Sequence, residues 1–188
     1  MAKDLSEKEF KKLIQKHIAK SNYVKIYLTE DSPEGYVFGF ILNVSDDFLM
    51  IQETYDFTLS GIKIIPYKRI SSIRHNRFDT ISKNIFSEEG LVKFNQKIID
   101  NTSLKNGESL FKSIKKQNFH CIVDSTKKNK DLFSIGEILD VNEKSVTIKN
   151  YDPSGKFNKK SPKISFKNLE FITFNDNYSL TFRKYLKE

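Results

Sequence analysis

The side chains with the most evident chemical potential are basic, and they form two groups in this sequence. One group surrounds the apolar stretch 70–73, and the other occupies a loop rich in Gly, Pro, Ser and Asn. Lysine and arginine neutralise phosphates, and an exposed aromatic ring offers a face on which a base stacks. A charged loop of this composition is also typical of a mobile, solvated surface. The candidate nucleic-acid-binding residues are Lys68, Arg69, Arg74, Arg77, Lys156, Phe157, Lys159, Lys160 and Lys163.

Other reactive side chains do not form a catalytic or metal-binding pattern. The three histidines are far apart in the sequence, and His17 falls on the apolar face of a predicted helix, where a packed histidine is the usual interpretation. His120 precedes Cys121, but adjacent strand residues point to opposite faces of a sheet. None of the familiar nucleophile, zinc or phosphate-loop motifs occurs in the sequence. We therefore expect no catalysis, no metal and no cofactor.

The net charge of +8 is concentrated in one half of the chain. Residues 1–95 hold 14 basic and 13 acidic side chains, whereas residues 96–188 hold 18 and 11. A basic half indicates an anionic partner, which is either RNA or an acidic protein surface. The alternative is a lysine-rich surface that only keeps the protein soluble.

The composition favours a cytoplasmic protein. The single cysteine, Cys121, excludes an intrachain disulfide and fits a reducing compartment. The first residues carry no apolar run like that of a secretory signal peptide. No stretch approaches the ~20 apolar residues of a membrane-spanning helix, so we expect no contact with a membrane.

The elements that must position the candidate residues are organised around a stretch that occurs twice. Residues 39–44 (Gly-Phe-Ile-Leu-Asn-Val) have a second copy at 136–141 (Gly-Glu-Ile-Leu-Asp-Val). A polar turn and an alternating strand follow each copy, and Tyr-Asp ends both. Three further blocks match in the same order: 10–14 with 110–114, 22–27 with 118–123, and 64–73 with 163–172. The matches predict one unit used twice, with domains at 1–100 and 101–188.

Each unit is predicted to be a helix followed by five short strands. Ser6 and Glu9 form a capping box that opens a helix over 6–21, and a second helix is expected at 108–117. A glycine inside a strand, as at position 39, indicates a bend or a close backbone approach. Closure of such a unit into a barrel removes exposed strand edges. The predicted strands are 24–28, 36–45, 48–55, 61–67 and 70–75, then 120–124, 133–141, 145–150, 163–166 and 169–174.

The predicted fold class is therefore mainly β with flanking helices, as two tandem five-stranded barrels that each follow an α-helix. The β period also predicts which side chains fill the two cores. The expected core residues are Ile41, Val44, Leu49, Ile51, Ile70 and Ile73, then Ile138, Val141, Val146, Ile148, Leu169 and Ile172.

The repeated element resembles the first motif of the Sm-like (LSm) family. Gly39, Ile41 and Phe48 stand where that motif has a glycine, an aliphatic residue and an apolar residue. The resemblance implies an N-terminal helix and a bent, five-stranded, SH3-like barrel in each half. The sequence departs from the family at the residues that contact RNA, because Ser45 and Leu49 replace the motif aspartate and asparagine.

These observations predict a non-enzymatic binding protein, with RNA as the first ligand to test. The alternative is a protein–protein interaction module, such as an adaptor or a toxin-neutralising immunity protein, in which the barrels offer shape rather than chemistry. Units this small bury limited cores, so we also expect them to pack on each other or to form a homo-oligomer.

Overall fold

The computed structural model describes residues 6–127 and 130–187, without the side chain of Asp131. These residues form a mainly β structure. The first half contains α1 (Glu7–Ala19), β1 (Tyr23–Leu28), β2 (Tyr36–Val44), β3 (Phe48–Tyr55), β4 (Thr58–Pro66), β5 (Ile70–Arg74), α2 (Arg77–Glu88) and α3 (Gln96–Asn101). The second half contains α4 (Gly107–Lys116), β6 (Cys121–Lys127), β7 (Lys130–Asn142), β8 (Ser145–Asn150), β9 (Lys163–Ser165), β10 (Leu169–Phe174) and α5 (Asn177–Phe182).

All ten strands belong to one open antiparallel sheet, in the order β5-β1-β2-β3-β4-β10-β6-β7-β8-β9. The prediction of two closed barrels is therefore wrong. β4 pairs with β10 of the second half, with Ile62 opposite Phe174 and Ile64 opposite Ile172. This pairing satisfies one edge of each half without closing either one. The order of strands within the two halves is nevertheless the same.

The helices begin where side chains satisfy their first backbone N–H groups. The predicted capping box of α1 is present, since the Ser6 hydroxyl accepts from the Glu9 N–H and the Ser6 N–H donates to the Glu9 carboxylate at 2.9 Å. Asn76 and Asp79 form a second capping box at α2. These contacts fix where each helix leaves the sheet.

The repeated glycines allow two strands to approach more closely than any side chain would permit. A Cβ atom on Gly39 would lie 2.0 Å from the Gln52 carbonyl oxygen, and one on Gly136 would lie 2.0 Å from the Lys149 carbonyl oxygen. Shortly after each glycine, the pairing with the next strand shifts by one residue. Such a bulge bends a strand, so both copies bend at the same place.

The pairing partners of the glycines show which residues occupy matching positions. Gly39 lies opposite Val24 on β1, and Gly136 lies opposite Cys121 on β6. Both partners are fully buried. The sequence match, which aligned Val24 with His120, is therefore displaced by one residue in this block.

The cores of the two halves are built partly from each other's residues. Phe171 of β10 packs in the cluster that contains Ile14 and Ile51 of the first half. In turn, Ile62 and Ile64 of β4 pack in the cluster of the second half. Of the twelve predicted core residues, nine are buried; the three that are half-buried are Val44, Ile70 and Val141.

Candidate nucleic-acid interface

A cleft of about 580 Å³ lies at the outer end of the second half, beside β9. We call it the basic cleft. Lys127 at the end of β6 and Phe133 on β7 line one part of it, and Asn150 at the end of β8 lines another. Lys160 reaches it from the segment that leads into β9, and Lys163 reaches it from the first position of β9. The cleft therefore combines cations, an amide and an aromatic ring whose side chain is 60% exposed.

Backbone hydrogen bonds hold the loop that carries the lysines. The Ile148 N–H donates to the Pro162 carbonyl at 3.1 Å, and the Asn158 N–H donates to the Asn150 carbonyl at 2.8 Å. At the start of the loop, the Asp152 carboxylate accepts from the N–H groups of Ser154 and Lys156, at 2.8 and 3.1 Å. Hydrogen bonds from Ser154 and from the Lys156 N–H lower the pKa of Asp152. The base of the loop is thus fixed while Lys160 and Lys163 stay exposed.

The place in the first half that corresponds to the basic cleft is filled by side chains. The Lys63 side chain is only 3% exposed, and its ammonium lies 2.6 Å from the Glu34 carboxylate and 2.8 Å from the Glu53 carboxylate. The Phe171 ring, which comes from the second half, lies over this ammonium with its centroid at 4.5 Å. Burial raises the pKa of Glu53, and the attraction of Lys63 opposes that shift. A charged site in the first half is therefore neutralised and covered.

A second ion pair lies where the two halves meet, a place that we call the junction. Arg69, at the end of the short 3₁₀ turn before β5, pairs with Glu170 of β10 and with Asp31. Glu170 is almost fully buried, and the Asp31 carboxylate lies 2.5 Å from the Arg69 guanidinium. Asn168 ends the matching turn before β10, and it lines the basic cleft. An amide thus takes the place of a paired guanidinium.

The basic cleft and the equivalent place in the first half differ in the residues of the strand that borders each, which is β9 in the second half and β4 in the first. β9 pairs with β8 as β4 pairs with β3, which places Lys163 at the position of Ile64 and Pro162 at that of Lys63. Asn150 lies opposite Gly136, where Glu53 lies opposite Gly39. The Asn150 side-chain oxygen accepts from the Ile135 N–H at 2.6 Å. The second half therefore lacks both the buried lysine and the carboxylate that pairs with it.

The structure separates the predicted residues of the second half. Lys160 and Lys163 line the cleft, and Lys159, directly before Lys160, is exposed outside it. The backbone of Lys156 belongs to the Asp152 turn. Phe157 is half-buried, with the Lys149 ammonium 4.1 Å from its ring centroid and its edge against Tyr151. The Phe157 ring is therefore already in contact on two sides.

The predicted residues of the first half flank β5, at the opposite end of the sheet. Arg69 is held in the junction, and Arg74 forms two hydrogen bonds to Asp79, at 2.8 and 3.1 Å. The Lys68 ammonium donates to a backbone carbonyl at 2.9 Å. Arg77 is exposed, with its guanidinium 4.7 Å from the Phe78 ring centroid. Two of these four cations thus serve the fold.

Sequence reasoning missed Lys127, Phe133 and Asn150. Lys127 ends β6, Phe133 lies on β7 and Asn150 ends β8. The signal available for Phe133 is its position: Tyr36 and Phe133 each stand three residues before a repeated glycine, so both copies carry an aromatic ring there.

The histidines form one close pair. The rings of His17 and His75 meet edge to face, with centroids 5.5 Å apart. Burial, with the nearby charges of His75 and Lys16, lowers the pKa of His17 to about 4. The His17 ring also contacts the Asn22 side-chain nitrogen at 3.1 Å. Within residues 6–127 and 130–187, no three His, Cys, Asp or Glu side chains converge as a metal site requires.

Comparisons with known proteins give no further assignment. No family model, no curated protein and no solved structure matches this chain. In the described part of the chain, no helix has the length and apolar character needed to cross a membrane.

Proposed function

We propose that this chain is a non-enzymatic nucleic-acid-binding protein whose basic cleft holds a segment of single-stranded RNA. The observation that supports the proposal most strongly is the difference between the cleft and the matching place in the first half. There, Lys63 is paired with carboxylates and covered by Phe171. In the second half, the cations at the equivalent end of the sheet are exposed.

The charge in the cleft suits a phosphate backbone. Among the described residues, Lys127, Lys160 and Lys163 form no ion pair, and none of the described lining residues is acidic. Lysine ammonium groups bind phosphates as point charges and release the condensed counterions of the nucleic acid. The exposed ring of Phe133 adds a face for stacking, which accepts any base.

The outer edge of β9 argues against a protein strand as the occupant. Lys163 lies in the strand and Pro162 directly precedes it. Proline has no N–H to donate, and lysines on an edge strand oppose the addition of another strand. A nucleic-acid backbone needs no strand pairing and is attracted by the same lysines.

The tandem arrangement is part of the proposal. The repeated glycines, the shared strand order and the Sm-like motif support two copies of one small β unit. Because the family's RNA-contacting residues are replaced, we place the binding site in the cleft and not at the motif positions. The fold alone does not decide a function, so the cleft carries the proposal.

The test is a filter-binding titration of single-stranded RNA of about 16 nucleotides, the upper range for one small binding domain. The variant combines Lys127→Ser, Lys160→Ser and Lys163→Ser. Each lost phosphate contact should reduce the slope of log affinity against log salt by about 0.7, so we expect a reduction of about 2.

The matched control combines Lys8→Ser, Lys12→Ser and Lys16→Ser. These exposed lysines lie on α1 of the first half, and replacing them removes the same charge as the cleft variant does. The control should retain the wild-type slope. Equal slopes for the two variants would show that the cleft is not the site. No binding by the wild-type protein at low salt would overturn the nucleic-acid proposal and favour the protein-interaction alternative.

A further inference from the structure

Aromatic and basic side chains alternate on the outer face of the first half, away from its core. On β1, Tyr23, Lys25 and Tyr27 are half-buried, while the residues between them are buried. On β2, Tyr36 and Phe38 share this face, because Lys25 lies opposite Phe38 and Tyr27 opposite Tyr36. Phe86 of α2 covers the Tyr23 end of the face, which leaves the other end open.

We call Lys25, Tyr27, Tyr36 and Phe38 the aromatic platform. The Lys25 ammonium lies 3.5 Å from the centroid of the Tyr36 ring, 4.9 Å from that of Tyr27 and 5.1 Å from that of Phe38. The Tyr36 and Phe38 rings meet edge to face at 5.4 Å. Tyr36 is 49% exposed, so the platform offers a large ring beside a cation.

The fold does not require these side chains. The matching strand pairs of the second half are Ile122 with Ile135 and Asp124 with Phe133. An isoleucine pair thus replaces Lys25 and Phe38 and holds the same strand register. The cation and its surrounding rings are therefore a property of the first half alone.

The charge of the platform is positive. Arg74 lies beside Lys25 on β5, with its guanidinium 5.8 Å from the Phe38 ring centroid. The Asp79 carboxylate accepts from the Arg74 guanidinium and from the Asn76 N–H. Among the described residues, Lys25 forms no ion pair, so an anionic ligand finds its charge available.

We propose that the aromatic platform is a second contact for single-stranded nucleic acid, in which Tyr36 stacks on a base and Lys25 contacts the adjoining phosphate. The ligand class rests on the function proposed for the basic cleft, but the site is separate from it. Stacking on exposed aromatic rings next to cations is how sheet surfaces bind unpaired bases with little sequence preference.

The chain contains no tryptophan, so one can be introduced as a specific reporter. Tyr36→Trp keeps a ring on the platform, and its fluorescence should be quenched in a saturable manner by single-stranded RNA. Tyr55→Trp is the control, because Tyr55 is 73% exposed at the turn between β3 and β4. The control should show no saturable quenching. Equal quenching at both positions, or at neither, would overturn the platform.

Affinity measurements separate this inference from the proposed function. We expect Tyr36→Ala to weaken RNA binding about tenfold, and Tyr36→Phe to retain wild-type affinity, because stacking needs a ring and not the hydroxyl. If Tyr36→Ala binds RNA with unchanged affinity while the cleft variant is still impaired, the platform proposal is overturned and the cleft proposal stands. If the wild-type protein binds no RNA, both proposals are overturned. Thermal unfolding of Tyr36→Ala should match wild type; an unfolded variant makes the tryptophan quenching the deciding measurement.

Discussion

The two halves share a strand order but expose different surfaces. In the first half, the end of the sheet beside β4 is closed by Lys63, its two carboxylates and the Phe171 ring. In the second half, the matching end is the open basic cleft. The outer face shows the reverse: aromatic rings surround Lys25 in the first half, whereas Ile122 stands at that position in the second half. The halves therefore differ at positions that the shared strand order does not require. Both proposed nucleic-acid contacts, the basic cleft and the aromatic platform, lie at such positions.

The largest effect should come from opening the closed end. Phe171→Ala removes a ring that is 3% exposed and leaves Lys63 uncovered. Truncation of a buried phenylalanine costs about 3–5 kcal/mol of unfolding free energy. Phe133→Ala is the matched control, because this ring is 60% exposed in the cleft, and surface substitutions stay within about 0.5 kcal/mol. Chemical denaturation of both variants checks the prediction, and equal losses would contradict the contrast between a filled and an open end.

The next effect concerns a helix position at which the halves differ. His17 lies four residues before Ser21, and Ile114 lies four residues before Asn118; both Ser21 and Asn118 have left-handed backbone, which marks the two helix ends as equivalent. Burial lowers the pKa of His17 to about 4 in the folded protein. The unfolded histidine binds its proton near pH 6.5, so the unfolded state takes up more protons between these values.

Folding stability that is present above pH 6.5 should therefore be lost as the pH falls towards 4. The loss through His17 should be roughly 3 kcal/mol, since one pKa unit corresponds to about 1.4 kcal/mol. His17→Ile gives the first helix the residue type of the second and should remove this part of the pH dependence. Denaturant unfolding of both proteins at several pH values is the measurement, and parallel curves would show that His17 titrates normally.

The smallest effect should come from placing one feature of the first half in the cleft. Asn150→Asp restores a carboxylate where the first half has Glu53, and it keeps an oxygen to accept from the Ile135 N–H. The new charge should neutralise one lysine and reduce the salt slope of RNA binding by about 0.7. Asn84→Asp makes the same change at an exposed position of α2 and should leave the slope unaltered. An identical slope in all three proteins would place RNA away from Asn150.

The parts of the fold that the sequence predicted depend on local rules. The capping of α1 by Ser6 and the close strand approach at Gly39 follow from a few neighbouring residues. The predicted closure failed because β4 pairs with β10, a contact that depends on distant residues such as Phe171 and Glu170. No sequence pattern within one half indicates which distant strand pairs with its edge strand.

The candidate site was predicted in part for a similar reason. Lys160 and Lys163 were predicted because a cluster of lysines among Gly, Pro, Ser and Asn is visible as sequence composition. The ion pairs of Arg69 and Arg74 could not be seen, since charge alone does not reveal a partner. The platform was not predicted, because Tyr36 and Phe38 show the strand period but the period alone does not tell which face of the strand meets the core.

The internal junction also bears on how the protein behaves at high concentration. β5 presents Ser71 and Ser72 where β10 presents Glu170 and Phe171, as their pairing with β1 and β6 shows. A second copy of the chain therefore brings no buried acid and no ring to the β9 edge, and Pro162 there offers no N–H. The head-to-tail contact that joins the halves therefore lacks these partners between molecules, and we expect the sheet to end after two units and not to grow into filaments.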